Sequence, residues 1–166
     1  MAEFRFTNEH RASEAANIGG ILRQPRLWIP SQRDYPDFSE WVDRTEAGVV
    51  TGNIRAMLAY TGAKPSGVII YRKHEHDEQT VEIRNISVSP DAQGRYIGSF
   101  LLRNVEIEAT QHDFPRSSQV QVDTKLANSG MIDFLADHGY GVETVTDLYG
   151  LGAGVDAVLK KVVVTA

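Results

Sequence analysis

The chain has 166 residues, a formal net charge of −5 and no cysteine, and 42% of its residues are hydrophobic. This length and composition suit one globular domain over residues 1–166, and the missing cysteines exclude disulfides, thiolate metal ligands and a nucleophilic cysteine. The acidic balance, with no basic run, argues against nucleic-acid binding, and neither a membrane-span pattern nor a signal-peptide pattern is present, so we expect a soluble, cytoplasmic protein.

The N-terminal part of the chain predicts one strand and two helices. The alternation over residues 3–7 predicts the strand, and a helix is expected over residues 12–22, with an interruption at Gly19-Gly20. A loop rich in proline and aromatic residues follows. Asp37 is a candidate cap for a second helix that continues through Trp41.

Three consecutive strands are predicted in the next segment. Residues 53–61 and 67–73 form strands two and three around a turn at residues 62–66, and the polar residues 74–78 lead into strand four at residues 81–88. Because the connections are short, neighbouring strands are expected to be antiparallel.

The polar turn before strand four contains His74 and His76, followed by Asp77. Two histidines at this spacing can share a face, which is compatible with a metal site. Charged residues also collect in solvent between strands, and no further histidine or cysteine framework accompanies the pair. We therefore expect no metal site here.

Strand four leads into a glycine-containing loop and then a helix. Pro90 ends the strand, since it has no N–H to donate, and the loop over residues 93–98 carries two glycines. From Ile97 onward, apolar residues recur at helical spacing, at Leu101, Leu102, Val105 and Ala109. A helix N-terminus behind a glycine loop can bind a phosphate, because its first N–H groups are unpaired and the macrodipole is positive there. The alternative is a plain strand-to-helix turn.

The C-terminal part predicts one parallel strand, one helix and a closing strand pair. Residues 119–125 alternate as strand five, which the helical connection makes parallel to strand four. Asn128 precedes the next helix and Gly139 ends it. Residues 142–149 and 157–164 are expected to form an antiparallel pair.

The loop after strand four resembles the signature of the GNAT superfamily, the acyl-CoA-dependent N-acyltransferases. The loop of that family has the pattern Gln/Arg-x-x-Gly-x-Gly/Ala after a strand that ends Val-x-Pro, and Val88, Pro90, Gln93 and Gly98 match it. Tyr96 stands where the family usually has glycine. Its side chain either narrows the approach to a pyrophosphate or contacts the edge of the cofactor.

A second segment, 128–140, resembles the family pattern Asn-x-x-Ala-x-x-x-Tyr-x-x-x-Gly-Phe. Asn128, Gly139 and the aromatic Tyr140 match it. Met131 replaces the small residue, and Leu135 replaces the tyrosine that often serves as general acid in the family. The two motifs occur in the order that the family requires.

The resemblance implies an α/β (α+β) fold: a mixed, mostly antiparallel sheet of six to seven strands with about four helices, in which strands four and five run parallel and splay apart. It also implies acetyl-CoA as the acyl donor, bound between those two strands. The donor-binding residues that it implies are Ile86, Ser87, Val88, Gln93, Gly94, Arg95, Tyr96, Ile97, Gly98, Ser99 and Asn128.

The resemblance further implies acetyl transfer from acetyl-CoA directly to an amine of an unidentified acceptor. Glu82 on strand four is the candidate base and Tyr149 a candidate acid, with Asp123 as a weaker alternative base. Equally, Glu82 can pair with a neighbouring arginine, Arg84 or Arg72.

Three further expectations concern the acceptor pocket, the oligomeric state and the alternatives to an enzyme. The proline-rich loop forms a wall of the acceptor pocket in the family, so Trp28 or Tyr35 either contacts the acceptor or, as we favour, packs helices onto the sheet. A homodimer through the C-terminal strands is compatible with the resemblance. The alternatives to an enzyme are a non-catalytic acyl-CoA-binding or regulatory module on the same fold, and an unrelated nucleotide-binding protein, which the absence of a Walker lysine disfavours.

Overall fold

The computed structural model describes residues 4–8, 18–24, 37–111, 117–148 and 154–163. Strands and helices follow one another along these residues, with a 3₁₀ turn at Pro90–Ala92. The elements are β1 Phe4–Asn8, α1 Ile18–Leu22, α2 Phe38–Thr51, β2 Arg55–Thr61, β3 Lys64–Lys73, β4 Thr80–Val88, α3 Ile97–Ala109, β5 Gln119–Lys125, α4 Ser129–Asp137, β6 Gly141–Thr146 and β7 Asp156–Val162.

The strands are hydrogen-bonded in the order β1-β2-β3-β4-β5-β7-β6. The pairs β1–β2, β2–β3, β5–β7 and β6–β7 are antiparallel, and β4–β5 is parallel. The expected mixed, mostly antiparallel sheet is therefore confirmed. The chain divides into two compact units, residues 1–72 with 85–105 and residues 73–84 with 106–166. The assignment of residues 1–166 to a single domain stays a prediction.

The described residues of the first unit include an apolar core between two helices and two strands. Strands β2 and β3 supply alternate residues to it, and α1 and α2 supply their apolar faces. Its fully or nearly fully buried members are Ile18, Ile21, Leu22, Val42, Val49, Ala56, Leu58, Val68 and Ile70.

Two local predictions in this unit are wrong. Gly19 and Gly20 do not interrupt the helix, because both lie within α1. Asp37 occupies the N-cap position of α2 but makes no capping hydrogen bond with its side chain. Its carboxylate instead accepts a hydrogen bond from Arg44 at 3.4 Å.

The second unit brings the first half of β4 beside β5. The parallel pairs run from Thr80 opposite Gln119 to Ile83 opposite Val122. Strand β7 pairs with β5 on one side and with β6 on the other, so the predicted closing pair is confirmed as β6 and β7. The expected splay concerns the second half of β4, which belongs to the first unit, and it stays a prediction.

Within the described ranges, no helix has both the length and the apolar character that a membrane span requires.

Candidate functional site

Two hydrogen bonds hold the loop after β4 in place, one from its backbone and one from a side chain. The Ser89 N–H donates to the carbonyl oxygen of Ser66 at 2.9 Å. The side-chain amide of Gln93 donates to the carbonyl oxygen of Val88 at 3.1 Å. This contact uses one of the two amide protons of Gln93, so the side chain fixes the loop and keeps a second donor for a ligand.

Two residues of this loop have left-handed backbone conformations. Gly94 has φ +73° and Tyr96 has φ +62°. A side chain normally costs about 1–2 kcal/mol in this conformation, because Cβ crowds the following carbonyl oxygen. Tyr96 nevertheless keeps the backbone conformation that glycine adopts easily, and its side chain is 83% exposed. Both expectations for Tyr96, a narrowed approach to the pyrophosphate or a contact with the edge of the cofactor, stay predictions.

The first turn of α3 is anchored to β3 by close packing. A Cβ at Gly67 would lie 2.9 Å from Cγ2 of Ile97 and 3.2 Å from Cδ1 of Leu101, so a larger residue does not fit without movement. The Phe100 N–H donates to the carbonyl oxygen of Tyr96 at 2.9 Å, which closes the first helical turn on the loop. The amides that precede this bond, at Ile97 and Gly98, point toward the loop end of the helix and make it suited to an anion.

The predicted donor-binding residues lie in both units. The predicted residues from β4, the loop and α3 fall within residues 85–105 of the first unit. Asn128 belongs to the second unit. Their exposure differs: Ile86 and Ile97 are buried, Ser87, Val88, Gly98 and Ser99 are partly buried, and Gln93, Gly94, Arg95, Tyr96 and Asn128 are exposed.

Asn128 acts as the N-cap of α4. Its side-chain oxygen accepts a hydrogen bond from the Met131 N–H at 3.3 Å. Capping satisfies one of the unpaired N–H groups of the first turn, which is a structural reason for asparagine at this position. Its predicted contact with an acyl donor stays a prediction.

Glu82 forms an ion pair with Arg84, which was the predicted alternative to a catalytic role for this glutamate. The Glu82 side chain is 9% exposed, and its Oε1 lies 3.1 Å from Nη1 of Arg84. On the neighbouring strand, Gln121 stands opposite Glu82 in the parallel register. The Gln121 amide donates to Oδ1 of Asp123 at 3.1 Å. Because alternate residues of a strand share a face, these four side chains line one face of the β4–β5 pair.

The environment of Asp123 makes its carboxyl hold a proton more tightly. Burial raises the pKa of Asp123 above its usual value of 3.8, and the negative charge of Glu82 raises it further. The hydrogen bond from Gln121 and the positive charge of Arg84 oppose this rise. The pKa of Asp123 is therefore shifted toward the range in which general bases operate.

A second ion pair lies at the far end of β5. Nζ of Lys125 lies 2.8 Å from Oδ1 of Asp156, whose side chain is 2% exposed. Oδ2 of Asp156 is buried without a hydrogen-bond partner in the described residues. A cavity of about 360 Å³ opens beside Lys125, and its other lining residues are Leu126, Ala127, Gly154 and Val155. The sequence did not reveal this pair, because its two members are far apart along the chain.

Tyr140, the aromatic residue of the second motif, has a packing role. Its hydroxyl donates to Oε1 of Glu106 at 3.2 Å, and Lys161 donates to the same oxygen at 2.8 Å. Burial and the neighbouring carboxylate raise the pKa of Tyr140 well above its usual value of 10.0, so the phenol stays protonated. Tyr140 and the β7 residue Lys161 thus both bind Glu106 of α3 within the second unit.

Other predicted site residues divide into three groups. Leu135, which replaces the family tyrosine, is fully buried and supplies no acid. Tyr149, Trp28 and Tyr35 lie outside the described residues. The His76 N–H donates to Nδ1 of His74 at 3.2 Å, and the described part of the chain holds no group of three or more histidine, aspartate or glutamate residues arranged for a metal.

Comparison with known proteins gives one family match. The model of the acetyltransferase (GNAT) family matches residues 18–140 of this chain. No curated protein is similar enough in sequence to match it.

Solved structures of similar fold cover nearly the whole chain. A protein described as a GNAT-family acetyltransferase from Desulfovibrio desulfuricans has a TM-score of 0.75 at 15% identity, over 98% of this chain and 100% of that one. The PaiA N-acetyltransferase of Thermoplasma acidophilum, in complex with coenzyme A, has a TM-score of 0.68 at 15% identity, over 96% and 99%. The ribosomal-protein-S18-alanine N-acetyltransferase of Escherichia coli has a TM-score of 0.65 at 13% identity, over 100% and 96%. At these identities the likeness establishes the fold.

Proposed function

Because this chain belongs to the GNAT family of acetyltransferases, we propose that it transfers an acetyl group from acetyl-CoA to an amine of an acceptor. The observation that carries the proposal is the β4–loop–α3 segment. There, two left-handed residues precede a helix whose first amides are positioned for an anion. The PaiA relative, with the same fold, was crystallised with coenzyme A.

The loop and the first turn of α3 are proposed to bind the donor pyrophosphate. The amides of Ile97 and Gly98 supply donors, Arg95 supplies a positive charge, and Gly94 leaves the backbone open, since no atom lies within 4 Å of a Cβ built there. The strand end, residues 86–88, is proposed to hold the pantetheine arm through its backbone, with Asn128 contacting the arm as well.

The chemistry needs a proton acceptor and an oxyanion donor. The acetyl-CoA thioester supplies the acyl group: the amine nitrogen forms the new C–N bond, the C–S bond breaks, and the thiolate leaves with its electron pair. The attacking amine must be neutral, so a carboxylate, Glu82 or Asp123, is proposed to take its proton. A β4 backbone N–H is proposed to stabilise the carbonyl oxygen as it gains negative charge. Tyr149 is retained as the proposed acid.

Donor binding is tested first by calorimetric titration with acetyl-CoA, with ATP and NAD as controls. We expect saturable binding of acetyl-CoA alone. Gly98→Glu places a negative side chain at the phosphate site, and it should weaken binding by about tenfold or more. Gly141→Glu adds the same charge on β6, where no atom lies within 4 Å of a Cβ, and it is the matched control. Equal affinity of the two variants would exclude the loop as the phosphate site.

Turnover is tested by following thiol release from acetyl-CoA with a panel of amines: polyamines, aminoglycosides and peptides with a free N-terminus or lysine. Glu82→Gln is expected to lower the turnover rate while leaving acetyl-CoA affinity unchanged. An unaltered rate at every pH would remove Glu82 from the mechanism. The acceptor, the homodimer and the cytoplasmic location stay predictions within this proposal.

A non-catalytic acyl-CoA-binding module is the second candidate. The observation that favours it is Leu135, which is fully buried where the family motif places a tyrosine. Binding of acetyl-CoA without thiol release in the presence of any amine of the panel would support this module and exclude the enzyme for those acceptors.

A further inference from the structure

Two carboxylates and one guanidinium share a face of the β4–β5 pair. Glu82 and Arg84 are alternate residues of β4 and form an ion pair at 3.1 Å, with side chains 9% and 26% exposed. Asp123 lies two residues beyond Gln121, which stands opposite Glu82 in the register. Arg84 contacts Glu82 directly, and its positive charge also acts on Asp123.

We propose that Arg84 is a positioning residue that keeps Glu82 as a charged, hydrogen-bonded carboxylate and so leaves Asp123 to take the proton of the attacking amine. The inference rests on the proposed function. It assigns different roles to Glu82 and Asp123, which the sequence analysis gave as alternative candidates for the single role of general base.

The ion pair makes Glu82 the poorer base. A guanidinium keeps its proton at every physiological pH, and a charge-assisted hydrogen bond at 3.1 Å stabilises the ionised form of its partner. A carboxylate stabilised in this way accepts a proton less readily. In contrast, the Asp123 carboxylate accepts a hydrogen bond from the neutral side-chain amide of Gln121.

The charged groups around Asp123 have opposing effects. Burial, the Glu82 carboxylate and the Asp156 carboxylate raise the pKa of Asp123, whereas Arg84 lowers it. The lysines of this face are engaged elsewhere: Lys125 pairs with Asp156 at 2.8 Å, and Lys160, which lies opposite Gln121, pairs with Glu143 at 2.8 Å. Glu82 and Arg84 thus act on Asp123 with opposite signs although they are partners.

These opposite signs provide the test. Arg84→Gln removes the positive charge, so the pKa of Asp123 should rise by roughly half a unit or more. Glu82→Gln removes the negative charge, so the pKa should fall by a similar amount. Arg84→Lys keeps the charge and should stay near the original value. General loosening of the packing would move both glutamine variants in the same direction.

The first measurement is a pH titration of the ¹³C-labelled aspartate carboxyls by NMR, on the full chain and without any substrate. Opposite shifts of the Asp123 carboxyl in Arg84→Gln and Glu82→Gln would support the charge arrangement. Shifts of the same sign, or no shift in either variant, would overturn it.

The second measurement is the pH dependence of kcat/KM with acetyl-CoA and an amine that the panel shows to react. We expect the acidic limb to move up in Arg84→Gln, to move down in Glu82→Gln and to disappear in Asp123→Asn. Loss of the limb in Glu82→Gln with its retention in Asp123→Asn would make Glu82 the base and overturn the inference. If no amine reacts with the unmodified protein while the NMR shifts are opposite, the proposed function fails and only the charge arrangement stands.

Discussion

Tyr96 holds a glycine-like backbone conformation, and replacing it by glycine measures what this costs. At φ +62° a residue with a Cβ is strained by about 1–2 kcal/mol, which glycine avoids. Glycine also has more conformational entropy in the unfolded chain. This entropy lowers the free energy of unfolding by about 0.4–1 kcal/mol and opposes the relief of strain. The difference leaves Tyr96→Gly more stable than Tyr96→Ala by about 0.5–1 kcal/mol. Alanine is the proper reference because it removes the ring and keeps the Cβ.

The assay is urea unfolding of both variants beside the unmodified protein. With an m-value of about 2 kcal/mol/M, the predicted difference moves the midpoint by about 0.3–0.5 M. Gly94→Ala is the converse control: its φ is +73° and no atom lies within 4 Å of the new Cβ, so it should lose stability from strain alone. Equal midpoints for Tyr96→Gly and Tyr96→Ala, with a loss in Gly94→Ala, would refute the conformation assigned to Tyr96.

Three further variants test packing and charge. Gly67→Val forces atoms into Ile97, which lies 2.9 Å from a Cβ at this position, and should lower the free energy of unfolding by roughly 1–3 kcal/mol; an unchanged urea midpoint would show that β3 and α3 are not in this contact. Asp123→Asn should stabilise the protein at neutral pH. Because the folded pKa is raised above 3.8, the folded state binds the proton more tightly, so stability is lost as pH rises through the folded pKa. The gain from Asp123→Asn should therefore shrink as the pH is lowered toward 3.8 in urea titrations, and a constant gain would contradict the shift. Tyr140→Phe removes the hydrogen bond to Glu106 and should cost about 1 kcal/mol, measured by the same unfolding curves; a stability gain would argue against that bond.

The elements that the sequence predicted well are those with strong local patterns. The apolar stripe of α3, from Ile97 to Ala109, is buried at each predicted position. The strand over residues 119–125 has the predicted bounds. Val120, Val122 and Thr124 alternate with polar residues along it, and this alternation defines the two faces of the strand. Asn128 begins its helix as expected, because capping is a local interaction.

The misplaced boundaries have local causes that the pattern did not contain. Strand β3 begins at Lys64, although the turn was expected to extend to Ser66. Gly62 has φ +60°, which lets the chain reverse within a shorter turn. Pro65 also lies inside the strand, although a proline lacks the N–H that a strand donates to its neighbour. The register is irregular between Ala59 and Tyr60, which accommodates this stretch.

The features that the sequence did not predict depend on contacts between distant residues. The pairing of β7 with β5 is one of them, because the sequence pattern indicated no partner for this strand other than β6. The pair of Lys125 with Asp156 is another. Lys125 and Asp156 are far apart along the chain, and a lysine or an aspartate by itself is typical of an ordinary surface position.

The two departures from the family motifs have different physical consequences. At Tyr96 the side chain changes, and the backbone has a left-handed φ of +62°, a conformation that glycine adopts easily. At Leu135 the backbone has no special requirement, and the change replaces a hydroxyl by an apolar group in the core. A backbone-dependent task, such as holding a phosphate with amides, tolerates the first change, whereas a task that needs a hydroxyl at position 135 does not survive the second. The proposed donor binding and the proposed proton transfer are therefore separable, and acetyl-CoA affinity and turnover must be measured as independent properties.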